Sequence, residues 1–222
     1  MRLCRILSSS LLLASALFPA LSAHANDLSE ADKARSTMRR VISCAMYSDW
    51  GKGAGRALAV LEGNFEGKAF DDLYDGIQTC VWQNNYEGRW VEQLRFAPIM
   101  LKGEIFRSVL LDGWGVRIQK NLAPKFRRLA AVPRDPNSNP LGAFGVCVAT
   151  LDPQNARKAI ASPTAGPDES AAYAALAPSM AQCVAPGQSI AFSKQVLEGA
   201  LAEGLFVRTY AAPTERSAGR AN

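Results

Sequence analysis

Apolar side chains recur along this chain with the period of an α-helix, and no stretch of strand length shows two-residue alternation. Leu101, Ile105 and Val109, and again Leu197, Leu201 and Leu205, stand at i, i+4 and i+8, which predicts two helices that each press one stripe into a core. Met38, Val41 and Ile42 give the inward face of a helix from about Ser29 to Met46. Asp152-Pro153 reads as an N-cap followed by proline at the first helical position, which opens a helix through Ala161, and Asp49 occupies the equivalent place earlier in the chain. Residues 66–80 and 168–183 read as helices with a cysteine at the end of each, the second expected to kink or split at Pro178. Gly103 and Gly199 follow the leading leucines of the two stripes by two residues, where a missing side chain lets another helix approach closely. The fold class is therefore all-α.

One apolar run reads as an address rather than an element of the fold. Arg2 and Arg5 precede the apolar, serine-rich stretch Ile6 to Leu17, and Ala23-His24-Ala25 is a small-x-small cleavage site, so an export signal over residues 1–25 is expected, with a soluble mature chain from Asn26. Cys4 would leave with the signal. No later stretch is long and apolar enough for a transmembrane helix. The expected compartment is the periplasm.

Four cysteines remain after that cleavage, and in an oxidising compartment an even count reads as two disulfides. Cys44 and Cys80 are 36 residues apart, and so are Cys147 and Cys183. Setting one interval on the other also superposes Asp49 on Asp152, Gly63 on Gly166, Glu66 on Glu169, Ala69 on Ala172 and Leu73 on Leu176. After a seven-residue gap Leu101-Lys102-Gly103 falls on Leu197-Glu198-Gly199. The expectation is a tandem pair of helical repeats, at residues 26–111 and 142–209, each stapled by its own disulfide, Cys44–Cys80 and Cys147–Cys183. A basic linker at 112–141 would join them and a tail at 210–222 would follow. Closing a loop of that length stabilises by roughly 4 kcal/mol on the chain-entropy model, which suits small cores.

A cysteine, an Asp-Pro helix with an Ala/Leu-rich run, a second cysteine and then Leu-x-Gly-x-Leu-Ala-Glu-x-Leu-aromatic together resemble a group of exported bacterial proteins, uncharacterised in activity, built from this two-cysteine helical repeat. The second half carries the likeness, with Cys147, Asp152-Pro153, Cys183 and LEGALAEGLF at 197–206. The first half departs from it, with LKGEIFRSVL at 101–110 and Trp50 in place of the proline. The resemblance implies a helical, disulfide-bonded, exported protein and brings no activity with it.

Composition sharpens the picture mainly by exclusion. The chain has one histidine, His24, inside the expected signal, so the mature chain has none and loses Ser-His-Asp and Cys-His catalysis, His-based zinc sites and any imidazole base. Neither a metal nor a cofactor is expected. Beyond residue 25 the net charge is +3, and all of it resides in residues 112–141, where Arg117, Lys120, Lys125, Arg127, Arg128 and Arg134 oppose Asp112 and Asp135. Interleaved with Val116, Ile118, Leu122, Phe126 and Leu129, these bases form a candidate anion-binding segment for an anionic membrane surface or another acidic partner. The bland reading is a solvated linker whose apolar residues pack on the repeats. Nucleic acid is not an expected partner of an exported chain with so small an excess.

The seven extra residues of the first half lie in WQNNYEGRW, where Trp82, Tyr86, Arg89 and Trp90 form a candidate aromatic binding loop for a sugar ring or a peptide. The competing reading has them cap a small core. GKGAGR at 51–56 lacks the Walker pattern and reads as the glycine-rich start of a helix. Asp71-Asp72-Leu73-Tyr74-Asp75 matches an Asp-rich magnesium pattern but is read as a solvated acidic face. The expectation is an exported, non-catalytic protein that binds an envelope component, whether anionic lipid, glycan or protein. The alternative is a carboxylate-dependent glycan hydrolase drawing on Glu62, Glu66, Asp71 or Glu87.

Overall fold

A serine and an aspartate start the first helix. Ser29 accepts a hydrogen bond from the Asp32 amide at 3.1 Å, and its hydroxyl donates back to the Asp32 carboxylate at 2.7 Å. In the computed structural model, which describes residues 28–47, 52–63, 65–83, 97–111, 116–185, 187 and 191–211 (backbone alone at 116–119), nine helices follow one another without a strand. They are α1 (Glu30–Tyr47), α2 (Lys52–Glu62), α3 (Lys68–Gln83), α4 (Pro98–Leu111), α5 (Val116–Ala131), α6 (Pro140–Leu151), α7 (Pro153–Ala161), α8 (Pro167–Gln182) and α9 (Lys194–Tyr210). The expected signal segment and the tail beyond Ala211 lie outside the described residues.

Each half presents the same order of elements. A helix bearing the first cysteine leads to a short helix, then to the helix region bearing the second cysteine, then to a closing helix. Cys44 bonds Cys80 and ties α1 to α3, with Cα atoms 6.0 Å apart. Cys147 bonds Cys183 and ties α6 to the end of α8, with Cα atoms 5.8 Å apart. Met38, Val41 and Ile42 are buried in α1, and Asp152 caps α7 by accepting the Asn155 amide at 3.1 Å. Both follow from the sequence pattern.

α9 is the centre of the molecule. Its Gly199 face lies on Gly103 of α4, so close that a Cβ on Gly103 would stand 2.4 Å from the Gly199 Cα. A second face of α9 meets α6 through Gly145, Ala200 and Gly204, where a Cβ on Gly204 would stand 2.0 Å from the Gly145 carbonyl oxygen. Two helices can approach this far only where neither has a side chain. Leu201 and Phe206 are fully buried between these contacts, and Phe206 packs on Phe106 of α4 with ring centroids 4.7 Å apart. One hydrophobic core therefore runs through both halves.

Residues 112–141, read as a basic linker, contain a helix, α5, which packs against α9 through buried Phe126, whose ring lies 4.8 Å from Tyr210. One expectation needs correcting. α8 runs unbroken through Pro178, so the proline does not split it. A proline costs a helix one N–H and crowds the preceding turn. On α8 Pro178 is exposed, with solvent room for that crowding. Gly53, in the glycine-rich start of α2, is a packing residue: a Cβ there would stand 2.0 Å from the Ala45 carbonyl oxygen of α1.

Candidate functional site

Charge, unexpectedly, lies in the core. Arg35 and Arg39 are one turn apart on the inward face of α1, level with Met38 and Ile42. Arg35 donates to both oxygens of Glu169 of α8, at 2.5 and 2.9 Å, and to Asp32 at 2.8 Å. Arg39 donates to Glu198 of α9 and, at 3.0 Å, to the carbonyl oxygen of Ser162. Arg107 of α4 reaches Glu198 at 3.0 Å and donates to the carbonyl oxygen of Ile160 at 2.9 Å, with Glu104 3.8 Å away. Glu169 and Glu198 are 0% and 1% exposed, so these ion pairs sit where a lone charge would be severely penalised.

Two carboxylates of this cluster, Glu169 and Asp32, are held below the ordinary carboxylate pKa by the donors they accept from. Burial alone would push Glu169 up, but the Arg35 hydrogen bonds and the Ala165 amide, which donates at 3.0 Å, outweigh it and hold its pKa below the ordinary value. Asp32 is lowered as well, by its Ser29 hydrogen bond and then by Arg35. Burial opposes the charge on Arg35 too, yet its bonds to Glu169 and Asp32 prevail and its pKa is raised.

A depressed carboxylate pKa contributes stability that is fully present above the unfolded value and is lost as pH falls through the folded one. The free energy by which wild type exceeds Glu169→Gln in urea unfolding is therefore expected to be constant near neutrality. It should shrink progressively below about pH 4.5, the ordinary glutamate value. A difference that stays constant down to strong acid would show that Glu169 is not held ionised by the fold.

A second buried carboxylate, Glu203, sits about a turn and a half further along α9. It takes Lys102 of α4 at 2.9 Å, Arg134 at 3.0 Å and the Asn139 amide at 3.5 Å. Arg134 also donates to the carbonyl oxygens of Leu129, at 2.8 Å, and Val132. The RDPNSNP segment is thereby pinned to α9, and Asn139 caps α6 by accepting the Gly142 amide at 3.0 Å.

The sequence-predicted residues are distributed as follows. Cys44, Cys80, Cys147 and Cys183 are all in disulfides. Trp82 stands at the end of α3, 78% exposed, so it caps no core. Tyr86, Arg89 and Trp90 lie outside the described residues, as does Glu87. On α5, Lys120, Arg127 and Arg128 face solvent, Lys125 is half-buried, and the Arg117 side chain lies outside the described set. Arg128 reaches Glu62 at 3.5 Å. Arg134 turns inward to Glu203 instead of joining that outer face.

Glu66 and Asp71 are exposed and Glu62 lies at the surface, and nothing in the described structure brings them together as a catalytic pair. Asp72 pairs with Lys68 at 2.7 Å on the outer surface of α3, and no trio of acidic or cysteine side chains among the described residues is spaced to hold a metal. Among the described residues, carboxylates converge instead in the core, where Asp32, Glu169 and Glu198 meet on Arg35. A general acid for glycan cleavage needs a raised pKa, and Glu169 has the opposite.

Beside the buried cluster opens a groove of about 600 Å³ between α1, α4 and the turn after α7. Arg39, Arg40 and Arg107 line it together with Ser36, Ser43 and Thr164. The helical register of Arg35 and Arg39 with Met38 and Ile42 was the sequence signal for this region, because it places guanidiniums on a core-facing stripe. Compared with protein-family models, with curated proteins and with solved structures, the chain gives no match. The two disulfides fit an oxidising, extracytoplasmic compartment, and among the described residues no helix is long and apolar enough to cross a membrane.

Proposed function

We propose that this chain is an exported, periplasmic, non-catalytic interaction protein that docks on the anionic lipid surface of the cell envelope through the outer face of α5. One observation carries the reading. Phe126, Leu129 and Ala130 anchor α5 to the core, and Lys120, Arg127 and Arg128 are left facing outward from the opposite side. A rigid helix with a buried apolar stripe and an outward basic one holds its cations together at the surface without ordering a loop on binding.

The two halves are read as diverged copies of one unit. Support comes from the shared order of elements and from the crossing of α4 and α9 at Gly103 and Gly199, the positions that align. In the same alignment Lys102 falls on Glu198 and Arg107 on Glu203. The structure pairs Lys102 with Glu203 and Arg107 with Glu198, at 2.9 and 3.0 Å, as a two-fold exchange of equivalent positions requires. The first half is basic at both sites and the second acidic at both, so each closing helix suits the other and repels a copy of itself.

Co-sedimentation of the mature chain with phosphatidylglycerol vesicles, and separately with cell-wall glycan, tests the docking. Retention by vesicles at low salt, lost at high salt, is expected. Lys120→Gln with Arg127→Gln removes two surface cations, each worth about 1 kcal/mol at such a surface, and should weaken binding roughly 30-fold. Salt-resistant retention by glycan, with none by vesicles, would overturn the lipid reading and move the site to the segment that follows Trp82.

A further inference from the structure

The ion pairs that join α1 and α4 to α8 and α9 run one way. Arg35 and Arg39 meet Glu169 and Glu198, while Lys102 and Arg107 meet Glu203 and Glu198, so the bases stand on the first half and the acids on the second. α5 goes with the second half, since Phe126 packs on Phe206 and Tyr210, with ring centroids 5.9 and 4.8 Å away, and Arg134 beyond it pairs with Glu203. From this segregation of charge we infer that the inner face of α8 and α9 is a recognition surface for the first half, α1–α4, which it holds without a covalent bond and takes equally from a second copy of this chain. Neither the lipid reading nor a common origin of the halves is needed for it.

The charges on each face depend on the other face. Arg39 and Lys102 take their carboxylates from the second half. Arg35 and Arg107 have Asp32 at 2.8 Å and Glu104 at 3.8 Å within their own half, and each reaches across as well. Seen from the other side, the bases on Glu198 are Arg35, Arg39 and Arg107, from the first half. Glu169 also has Lys194 from its own half at 3.5 Å, and Glu203 has Arg134. Glu169, Glu198 and Glu203 are at most 5% exposed, so a partner that covers them must bring cations in register. A second half laid on a copy of itself would bury glutamate against glutamate, and a first half laid on a copy of itself would set bases against bases. One surface pair, Arg128 with Glu62 at 3.5 Å, has the reverse polarity.

Shape restricts the partner further. Gly199 receives Gly103 where a Cβ has no room, and Phe206 packs on Phe106 with ring centroids 4.7 Å apart. Arg39 and Arg107 also donate to the carbonyl oxygens of Ser162 and Ile160, at 3.0 and 2.9 Å. Each disulfide lies within one half, Cys44–Cys80 in the first and Cys147–Cys183 in the second, so neither bond locks the halves to each other. A first half supplied by a second copy makes the same contacts, and continuity of the chain only raises the effective concentration of its own.

The test cuts the mature chain between α4 and α5, at a site-specific protease sequence inserted after Gly113. Ordinary and nitrogen-15-labelled batches of cut protein are unfolded in urea with their disulfides left oxidised, mixed and refolded, and then weighed by native mass spectrometry. First halves are expected to pair one to one with second halves, the two parental and two hybrid masses appearing in about equal amounts. Lys102→Glu sets a carboxylate beside Glu203 and should weaken the pairing about tenfold or more. Lys68→Glu makes the same charge change on the outer surface of α3 and should leave it unaltered, as should Lys120→Gln with Arg127→Gln, the pair that tests lipid binding. The inference is overturned if the cut halves do not re-pair, if hybrids are absent, if pairs of two first or two second halves form, or if Lys68→Glu weakens the pairing as much as Lys102→Glu.

Discussion

Glu198→Ala is expected to destabilise the protein by about 3–5 kcal/mol, because it removes one partner of a buried ion pair and leaves the other uncompensated. Glu198 is the acceptor shared by Arg35, Arg39 and Arg107, so its loss strands charge contributed by both α1 and α4. Arg35 keeps Glu169 and Asp32, but Arg39 keeps only the Ser162 carbonyl oxygen at hydrogen-bonding distance. A loss of that size is a large share of an ordinary domain's total stability. Urea unfolding of the variant measures it, with Glu198→Gln expected to fall between variant and wild type. A loss below about 1 kcal/mol would place the arginines in water rather than in the core. Replacing the whole cluster by apolar residues is a different experiment, and there the outcome can be neutral or stabilising. The cluster is thus better read as a key that sets how α1, α4, α8 and α9 meet than as a source of net stability.

Adding one methyl group to a glycine is expected to act in opposite directions at two positions. Gly204→Ala puts a Cβ 2.0 Å from the carbonyl oxygen of Gly145, and the obstructing atom is backbone that cannot rotate away. The α6 and α9 helices would have to separate along their whole contact, so a cost at or above the usual 1–3 kcal/mol of overpacking is expected. Gly55→Ala, in the interior of α2, meets nothing within 4 Å and should stabilise by about 0.5–1 kcal/mol by removing helix-opposing backbone freedom. Thermal unfolding of the two variants beside wild type reads both effects. If they shift the midpoint in the same direction, the close crossing of α6 and α9 is wrong.

The parts of this architecture that the sequence made legible are those that depend on neighbours along the chain. The N-cap at Asp152, the stripes of α4 and α9 and the inward face of α1 are local periodicities, and equal cysteine spacing yielded both disulfides. The glycine positions in the two closing helices indicated close approach, which the Gly103–Gly199 crossing bears out. α6 was not legible: it is PLGAFGVCVATL, apolar or small nearly throughout, and it packs closely against α9, so no polar face marks a period. α5 was obscured by Pro124 and by a charge density that reads as linker.

The buried charges were missed for a different reason. A helical wheel puts Arg35 and Arg39 on the core side of α1, but a long cationic side chain there is ordinarily taken to snorkel outward. What keeps them inside is Glu169 and Glu198, 134 and 159 residues away along the chain, and no local pattern encodes that meeting. Arg134 shows the same effect in reverse. Counted by sequence among the bases of the connector, it folds inward to Glu203, 69 residues away, and leaves the outer face of α5 to its neighbours.

The most direct measurement of the docking reading is a lysine-acetylation footprint of the mature chain, with and without phosphatidylglycerol vesicles, read residue by residue by mass spectrometry. Lys120 is exposed on the outer face of α5, while Lys52, Lys68 and Lys158 are exposed on other helices and serve as internal references. With vesicles bound, Lys120 is predicted to lose reactivity and the three reference lysines to keep theirs. Equal reactivity at Lys120 on vesicle-bound protein, or protection confined to the other helices, would contradict a binding face on α5.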